Sequence, residues 1–568
     1  MKNFFLSKSS FLIVFILAAL VVRLYGLNWD QGQHLHPDER FLTMVTEAVA
    51  WPSSVSFYLH PNISSLNPYN AGYPFFVYGM FPLILVKLFS GIVTLDRFPY
   101  NNITLVGRVA SAMIDSGTQL VVFLIARRVF SLRVALVASL FYGISVLPIQ
   151  LSHFFAVDSF MVFFLTLAFL FLLVLLDGRR ALAASVLLGI AFGLALACKV
   201  SVVVFLPVVG LGFSYSLVRK RAVFPMVLGA VLFLFFAYTT LRLADPRVFA
   251  SASFFDPRPN PQFSANLREL GKLNTPQTSY PPAIQWIPTQ PLWFPLKNMV
   301  LWGFGLPLGI LVVGGVVSSL RFFSDRTLLP RRLPSVFRLS AKHVGHFLIL
   351  LWVLFFFLYQ GTSFVKAMRY FYPIYPFLVI LAARFFDNVV ISRFSNRFVF
   401  GYWVLLLIFP LSFLSVYSRP HSRVLASNWI YSNIPAGSVL SCEHWDDCLP
   451  LSVGGKSSAV YSVELLPLFD PDSLEKWQKI NRQLEQLDYL ILSSDRLWGS
   501  IPKLPEKYPL TSQFYADLFA GKLRFQKVTT ITSYPTIPFF NIPIPDDSSD
   551  ESFTVYDHPQ VVIFQKIR

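Results

Sequence analysis

The sequence predicts a polytopic α-helical membrane protein that ends in a small α/β domain outside the membrane. Of its 568 residues, 55% are hydrophobic and only 14% are charged. The mean hydropathy is +0.57, and the apolar residues gather into runs long enough for helices that cross a bilayer. Residues 418–568, by contrast, have a soluble composition. The chain is therefore divided into a transmembrane module, 1–417, and an extracytoplasmic domain, 418–568.

Hydropathy predicts about eleven spans in the transmembrane module. The first is interpreted as an uncleaved anchor, because Asn28-Trp29-Asp30 follows it without a small-residue cleavage pattern. An odd number of spans places the two termini on opposite sides of the membrane. The predicted spans lie at approximately 11–27, 108–128, 132–149, 157–176, 181–198, 200–218, 223–241, 296–320, 346–361, 371–386 and 398–417.

Most of the net charge of +17 lies in polar connections on one side of these spans. Those connections hold 19 Lys and Arg residues against three acidic ones, whereas the alternate connections are nearly balanced. Such an excess marks cytoplasmic loops. The charge therefore predicts a cytoplasmic N-terminus and an outer C-terminal domain, and it argues against nucleic acid as a partner. The basic connections are Met1–Ser10, Arg127–Arg133, Asp177–Arg180, Arg219–Arg221, Arg321–Lys342 and Arg384–Arg397.

Two long regions fall on the predicted outer side, a first external loop at 28–107 and a second at 242–295. Within the first, residues 72–93 are apolar enough to cross the membrane, but they include Lys87 and two prolines. If they crossed, every later basic connection would change sides. They therefore predict helices that lie along the outer surface.

The C-terminal domain is predicted to contain both helices and strands. Cys442 and Cys448 could close a disulfide loop if the domain lies outside the cytoplasm. Their spacing is not a zinc signature, so a metal site at this pair is less favoured. The predicted elements are helices at 425–434 and 512–520, strands at 438–441 and 489–493, and two strands in 552–566 that meet at Asp557-His558-Pro559.

The densest polar cluster is His34-Leu35-His36-Pro37-Asp38-Glu39-Arg40, directly after the first span. Charges beside a bilayer are costly, so such a cluster is a candidate functional site. It could equally be a solvated loop in which Pro37-Asp38-Glu39 starts a helix.

On the predicted topology, other polar residues reach the same outer face. They are His153 and Asp158 between the third and fourth spans, Lys199 between the fifth and sixth, and Lys366 and Arg369 at the outer end of the tenth. Carboxylates and cations together suit a reaction on a lipid phosphate. A carboxylate can act as general base toward an acceptor hydroxyl, and Lys and Arg can hold the phosphate.

Each of these residues also has a structural explanation. Asp158 could cap the fourth span, Lys199 could reach back to the interface, and Arg369 could be an interfacial anchor. His153 is better explained as structural than as a ligand. Asp115, near the outer end of the second span, is predicted to be a buried hydrogen-bond partner within the bundle.

Several of these features resemble the GT-C fold glycosyltransferases of the family 39 type, which include protein O-mannosyltransferases and aminoarabinose (lipid A) transferases. The shared features are an Asp-Glu pair at the start of the first external loop, surface helices after it, and an Asp that heads the fourth span. The Lys199 turn and the segment Arg369-Tyr370-Phe371-Tyr372-Pro373-Ile374-Tyr375-Pro376 also look like the family's later spans. The resemblance covers roughly residues 10–420, and residues 418–568 match none of its extra modules.

The resemblance implies an integral membrane enzyme that transfers a sugar from a polyprenyl phosphate with inversion. By that resemblance the catalytic residue is Asp38, with Glu39 adjacent. Lys199, Arg369 and Lys366 are the candidates for binding the donor phosphate. The supporting residues of the site are expected to be His36, Arg40, His153 and Asp158. The acceptor, a protein, a lipid or a glycan, and the identity of the sugar stay open.

A divalent cation is a further expectation. Asp38, Glu39 and Asp158, with His153, could hold Mg²⁺ or Mn²⁺ while a lipid phosphate completes the coordination shell. None of their spacings is a recognised ligand motif, so a protein without a metal is the favoured alternative.

Two other functions are compatible with the composition. A transporter or flippase for a lipid-linked saccharide would share the apolar bulk, but it usually shows two matching halves, and this sequence has no internal repeat. A non-catalytic assembly subunit would use its outer domain to bind partners and would tolerate replacement of Asp38.

Overall fold

The computed structural model describes residues 8–178, 180–220, 223–277, 280–327 and 340–567. The start of the chain and most of the predicted basic connection Arg321–Lys342 lie outside the described residues. The described helices are α1 (Lys8–Leu24), α2 (Pro37–Ala48), α3 (Val55–Leu59), α4 (Met80–Ser90), α5 (Pro99–Val129), α6 (Leu132–Gly143), α7 (Val146–Ser152), α8 (Val157–Asp177), α9 (Ala181–Leu196), α10 (Leu206–Lys220), α11 (Val223–Ala244), α12 (Pro261–Leu273), α13 (Pro281–Ile284), α14 (Trp293–Asn298), α15 (Leu306–Thr327), α16 (Ala341–Thr362), α17 (Tyr375–Phe385), α18 (Asn396–Ser418), α19 (Ser422–Asn433), α20 (Leu474–Gln486), α21 (Pro509–Phe519) and α22 (Glu551–Thr554).

The described part of the chain has eight helices that are long and apolar enough to cross a membrane, or nine if the bent pair α6 and α7 is one span. The predicted count of eleven is therefore not confirmed, although the polytopic helical class is. The difference arises because α1 and α9 are apolar but have only 17 and 16 residues. The helix α9 ends before Lys199, and a 3₁₀ turn at Val200–Phe205 follows it.

A buried polar group in the interior of the bundle is centred on Asp115 of α5. The Arg23 Nε atom lies 2.5 Å from the Asp115 carboxylate, and both side chains are fully buried. The Tyr142 hydroxyl donates to Asp115 at 2.6 Å, and the Tyr372 hydroxyl donates to the same oxygen. Asp115 is therefore the buried hydrogen-bond partner that the sequence predicted.

The apolar segment of the first external loop forms α4, which packs against α2 and α5 through Met80, Leu83 and Val86. Its 11 residues rise only ~16 Å, about half of the hydrocarbon thickness of a bilayer. The Lys87 ammonium donates to the Thr46 carbonyl on α2 at 3.0 Å. These features fit a helix that does not cross the membrane, and its place on the outer surface stays a prediction.

The C-terminal region contains a five-stranded mixed sheet with the order β2-β1-β3-β7-β4. The strands β1 and β2, like β1 and β3, are parallel, whereas β7 is antiparallel to both β3 and β4. A separate hairpin is formed by β5 and β6. The strands are β1 (Val439–Glu443), β2 (Ser462–Leu466), β3 (Tyr489–Leu492), β4 (Phe525–Ile531), β5 (Thr536–Ile537), β6 (Ile542–Pro543) and β7 (Val561–Lys566).

One element of the predicted domain is wrong. The tail forms a single strand, β7, preceded by the helical turn α22, where two strands were expected. The Asp550 carboxylate caps α22 by accepting from the Ser552 N–H at 3.0 Å. The turn packs away from the sheet, since Gln150 of α7 donates to the Phe553 carbonyl at 2.6 Å. The predicted Cys442–Cys448 disulfide is present.

Candidate active site

A cavity of about 720 Å³ lies between one end of the helical bundle and the C-terminal domain. Four parts of the chain line it. The first external loop contributes Asp38, Arg40 and Tyr78, and the second external loop contributes Tyr280 and Gln285. The segment after α16 contributes Arg369 and Tyr370, and the C-terminal domain contributes Arg423, Trp445, Asp446, Asp447, Arg496, Glu551 and Tyr556.

Asp38 stands in the first turn of α2, at the wall of this cavity. One carboxylate oxygen accepts a hydrogen bond from the Tyr78 hydroxyl at 2.9 Å, and the other lies 2.5 Å from the Arg369 guanidinium. Burial by itself would raise the pKa of Asp38, but the Arg369 charge outweighs it and holds the pKa well below its usual range. The side chain is 22% exposed, so an ionised carboxylate is accessible from the cavity.

His36 positions Asp38 from behind. It is the N-cap of α2, and its Nδ1 accepts from the Glu39 N–H at 3.2 Å. Its ring is buried between Phe154 and Tyr556, with both ring centroids 4.4 Å away. Burial lowers the pKa of His36 to about 4, so the cap is a neutral imidazole near pH 7. Its supporting role in the site stays a prediction.

The structure does not bring Glu39 to the cavity. Its carboxylate is fully buried and lies 2.5 Å from Arg108 of α5, and it also accepts from the Phe155 N–H at 2.7 Å. Arg108 in turn contacts Asp30 at 2.9 Å. Successive residues on a helix point about 100° apart, and at this position Asp38 faces the cavity while Glu39 faces α5. Glu39 ties α2 to α5.

Lys199 and Asp158 lie behind Tyr370. The Lys199 ammonium is 2.9 Å from the Asp158 carboxylate and 5.0 Å from the centroid of the Tyr370 ring. The Arg369 guanidinium is 5.5 Å from the same ring. Thus two ion pairs, Asp158 with Lys199 and Arg369 with Asp38, meet at the Tyr370 ring with their two cations facing it. All four residues lie at one end of the helices, as their predicted positions on one face require.

Two predicted site residues are turned elsewhere. The Lys366 ammonium is buried and donates to the Phe364 carbonyl at 2.9 Å and to the Thr289 hydroxyl at 3.2 Å. His153 is stacked on Tyr417 with centroids 3.8 Å apart, and its two ring nitrogens lie against backbone carbonyls. These contacts support the structural explanation of His153 and give Lys366 no contact with the cavity.

The C-terminal wall of the cavity is the part that sequence reasoning missed. Arg423 is buried and pairs with Asp446 at 2.6 Å and with Asp447 at 2.8 Å. Asp447 also lies 3.3 Å from Arg40, so the first external loop and the disulfide loop meet at this carboxylate. The sequence feature that could have indicated this wall is the run of acidic and aromatic residues between Cys442 and Cys448.

An aromatic edge and a second ion pair complete this wall. The Trp445 side chain is 45% exposed and meets the Tyr280 ring edge-on, with centroids 5.6 Å apart. Arg496 lies 2.7 Å from Glu551, which also accepts from the Gln285 amide at 2.8 Å. No sequence motif marked Tyr280, Arg496 or Glu551, because they are distant in the chain and meet only in the fold.

The residues predicted to bind a divalent cation do not converge. Asp38, Glu39 and Asp158 are each paired with a different cationic side chain. Across the described ranges, no three His, Cys, Asp or Glu side chains are grouped as a metal site would require. This set of ligands does not fit Mg²⁺ or Mn²⁺, and a requirement for either ion stays a prediction that chelation would test.

A known protein family matches part of this chain. Residues 100–243 match the family model described as dolichyl-phosphate-mannose-protein mannosyltransferase, and this stretch corresponds to α5 through α11. No curated protein matches the chain significantly.

Solved structures resemble most of the chain. The archaeal oligosaccharyltransferase AglB from Archaeoglobus fulgidus, in complex with an inhibitory peptide and a dolichol-phosphate, is 14% identical with a TM-score of 0.53, over 95% of this chain and 75% of that chain. The same enzyme tethered with an acceptor peptide gives 14% identity and a TM-score of 0.51, over 90% and 72%. ArnT from Cupriavidus metallidurans bound to undecaprenyl phosphate is 16% identical with a TM-score of 0.46, over 75% and 73%.

The likeness to the oligosaccharyltransferase shows the fold. The chain is a multi-pass membrane protein with the GT-C fold, and part of it matches a glycosyltransferase family, which confirms the resemblance predicted from the sequence.

Proposed function

We propose that this protein is an integral membrane glycosyltransferase that moves a sugar from a polyprenyl-phosphate carrier to an acceptor on the outer face of the membrane. The observation that carries the proposal is the ionised Asp38 carboxylate at the cavity wall, in contact with Arg369. A base and a phosphate-binding cation thus stand side by side. The family match and the fold support the same reaction class.

The donor phosphate binds, in this proposal, at Arg369. Arg guanidinium groups suit phosphate because they offer several donors in a fixed plane. A phosphate that pairs with Arg369 competes with Asp38 for the guanidinium. Donor binding therefore frees the Asp38 carboxylate and makes it a stronger base at the moment when the sugar arrives. The similar AglB structure in complex with dolichol-phosphate supports a lipid phosphate as the ligand class.

The proposed chemistry is a single displacement. Asp38 takes the proton of an acceptor hydroxyl, and the acceptor oxygen forms a bond to the anomeric carbon. The bond between that carbon and the phosphate oxygen breaks on the opposite side, and the phosphate keeps the electron pair. Arg369, with Lys199 behind Tyr370, stabilises the charge of the leaving phosphate. Attack from the side opposite the leaving group inverts the anomeric centre.

The acceptor enters, in this proposal, from the side of the C-terminal domain. Trp445 and Tyr280 offer aromatic surface there, and Asp447 and Glu551 offer carboxylate oxygens to hydroxyl groups. A polar acceptor that carries a hydroxyl suits this lining better than an apolar one. We likewise propose that the chain consists of two functional parts, a transmembrane module at 1–417 and an extracytoplasmic domain at 418–568.

The test is the rate of sugar transfer by purified protein in lipid nanodiscs, with polyprenyl-phosphate-linked hexoses as donors. Asp38→Asn keeps the size of the side chain and should lower the rate by about a hundred- to ten-thousand-fold, the usual cost of losing a general base. The matched control is Glu47→Gln, an exposed acid on the same helix that should retain wild-type activity. Transfer by Asp38→Asn at a near wild-type rate would remove Asp38 from the mechanism.

A further inference from the structure

The β5–β6 hairpin carries an unusual apolar tip. Phe539 is 100% exposed, Phe540 is 72% exposed and Ile542 is 53% exposed. The stretch from Pro535 to Pro545 contains no charged residue. Large apolar side chains grouped at one exposed point are typical of a surface that contacts another apolar phase.

The hairpin descends along the last helix of the bundle. Just after α18, the Ser533 hydroxyl donates to the Pro420 carbonyl at 3.3 Å, and within α18 the Ser415 hydroxyl accepts from the Thr536 N–H at 2.9 Å. Moving from Pro420 back to Ser415 covers five residues, about 7 Å at the helical rise. The extended chain from Ser533 to Thr536 is long enough to span this distance. The chain therefore runs antiparallel to α18, from its outer end toward the middle of the span.

The tip lies beside the lipid-facing side of α18. Phe539 is three residues beyond Thr536, which extended chain covers in at most ~10 Å. Leu411 lies one helical turn, about 6 Å, from Ser415, so that distance reaches its level. Leu411 is 46% exposed on a helix apolar enough to cross a membrane. The hairpin then returns, and the Ile544 N–H donates to the Pro535 carbonyl at 2.7 Å.

The backbone of the tip is shaped to keep these rings outside the protein. Phe539 has φ = +68°, a conformation that is sterically disfavoured for a bulky residue. Its ring gains no packing within the protein in exchange, since it is fully exposed. The Asn541 N–H donates to the Ile537 carbonyl at 3.1 Å, which satisfies part of the tip backbone internally and suits it to an environment without water.

From this geometry we infer that residues 538–542 insert into the outer leaflet of the bilayer and bind lipid acyl chains. The partner is a lipid surface. The C-terminal domain is then fixed to the membrane at two points, covalently through α18 and by the hairpin tip. This holds its wall of the cavity in a constant position above the bundle, and the inference does not depend on the proposed activity.

The test is the environment of a nitroxide spin label at position 540. The described native cysteines do not compete for a thiol reagent, because Cys198 is buried and Cys442 is bonded to Cys448. The variant Phe540→Cys is labelled and reconstituted in phosphatidylcholine vesicles. The matched control is Leu474→Cys, which labels a 73% exposed apolar position on α20 of the same domain.

Collision with oxygen, which concentrates in lipid, and with a water-soluble nickel chelate is measured by electron paramagnetic resonance. We expect oxygen to dominate several-fold at position 540 and the nickel chelate to dominate at position 474. Equal access of the nickel chelate to both labels would overturn the inference. A label at 540 that neither reagent reaches would overturn it as well, because it would place the tip against a second copy of the chain. Labelling Ile542→Cys gives a second depth reading on the same hairpin.

Discussion

The Asp38 carboxylate lies 2.5 Å from the Arg369 guanidinium. The basicity of the carboxylate therefore depends on whether Arg369 pairs with it or with another anion. While the pair is intact, the carboxylate is a weak base because the adjacent guanidinium stabilises its charge. When another anion takes the guanidinium, the basicity of the carboxylate rises. A single ion pair can thus couple the arrival of a phosphate to the readiness of the base.

Replacing Arg369 should therefore change two measurable quantities. Arg369→Gln should weaken donor binding by roughly ten- to a hundred-fold, since a charge-assisted hydrogen bond contributes about 1.5–3 kcal/mol. It should also raise the pKa of Asp38, so that the acidic limb of the pH–rate profile moves to higher pH. Donor affinity is measured by calorimetry, and Arg40→Gln, on the same cavity wall but paired with Asp447, is the control. Unchanged affinity and an unchanged profile would reassign Arg369 to interfacial anchoring.

Lys199 offers a narrower test of the same site. Lys199→Ala should weaken donor binding, because its ammonium lies close to the Tyr370 ring that separates it from Arg369. If Lys199 served only to neutralise Asp158, the variant would lower the melting temperature and leave donor affinity intact. Measuring both in the same preparation distinguishes the two roles.

His558 should make stability depend on pH. It lies between Asp546 at 2.8 Å and Asp557 at 2.5 Å, and although burial lowers its pKa, the two carboxylates raise it to about 10. Because the folded pKa exceeds the unfolded value of about 6.5, this stabilisation is complete below pH 6.5 and is lost as the pH rises through 10.

His558→Gln should consequently lower the melting temperature most at pH 6 and least at pH 10. Leaving two buried carboxylates without their cation typically costs about 3–5 kcal/mol. Thermal unfolding in detergent at several pH values measures the effect, and His444→Gln on the same domain is the control. A loss of stability that is equal at every pH would contradict the charged state assigned to His558.

At the level of the structural element, the disulfide loop shapes the wall of the cavity at which the acceptor is proposed to bind. It is held at Asp446 and Asp447 by the buried Arg423, and the ring of the preceding residue, Trp445, meets the Tyr280 ring edge-on. A short loop pinned at both cysteines and at two ion pairs has little freedom, so it can present its aromatic ring in a fixed position.

Trp445→Ala should raise the KM for the acceptor several-fold and change kcat little. An aromatic contact contributes about 0.5–1.5 kcal/mol beyond its buried area, and this one is proposed to act in binding alone. Steady-state kinetics with varied acceptor provide the measurement. Trp293→Ala removes a similarly exposed tryptophan from the second external loop and should leave the KM unchanged. An effect of Trp445→Ala on donor binding alone would contradict the assignment.

At the level of the whole molecule, the cavity and the C-terminal domain must face the same side of the membrane. Arg40 meets Asp447, and the Met368 N–H donates to Asp550 at 2.6 Å, so both α2 and the segment that carries Arg369 contact the domain directly. The distribution of Lys and Arg predicts that this shared side is the outer one.

A tag after Arg568 should therefore be accessible to antibody on intact cells. A tag inserted near Pro334, which lies outside the described residues, should become accessible only after permeabilisation. A cytoplasmic C-terminal tag would place the cavity in the cytoplasm as well, and the proposed reaction on the outer face would fail with it.

The sequence by itself determined that the protein is a membrane protein with several spans. It also predicted that the polar cluster around Asp38 lies at the same end of the helices as Asp158, Lys199 and Arg369, and that Cys442 and Cys448 could form a disulfide. Hydropathy and charge are properties of local composition, so they can be read along the chain. Only the tertiary structure decided that Glu39 and Lys366 turn away from the cavity, since that depends on which partner each side chain meets. It alone also placed Trp445, Glu551 and Arg496 opposite Asp38, because residues more than 400 positions apart become neighbours only through packing.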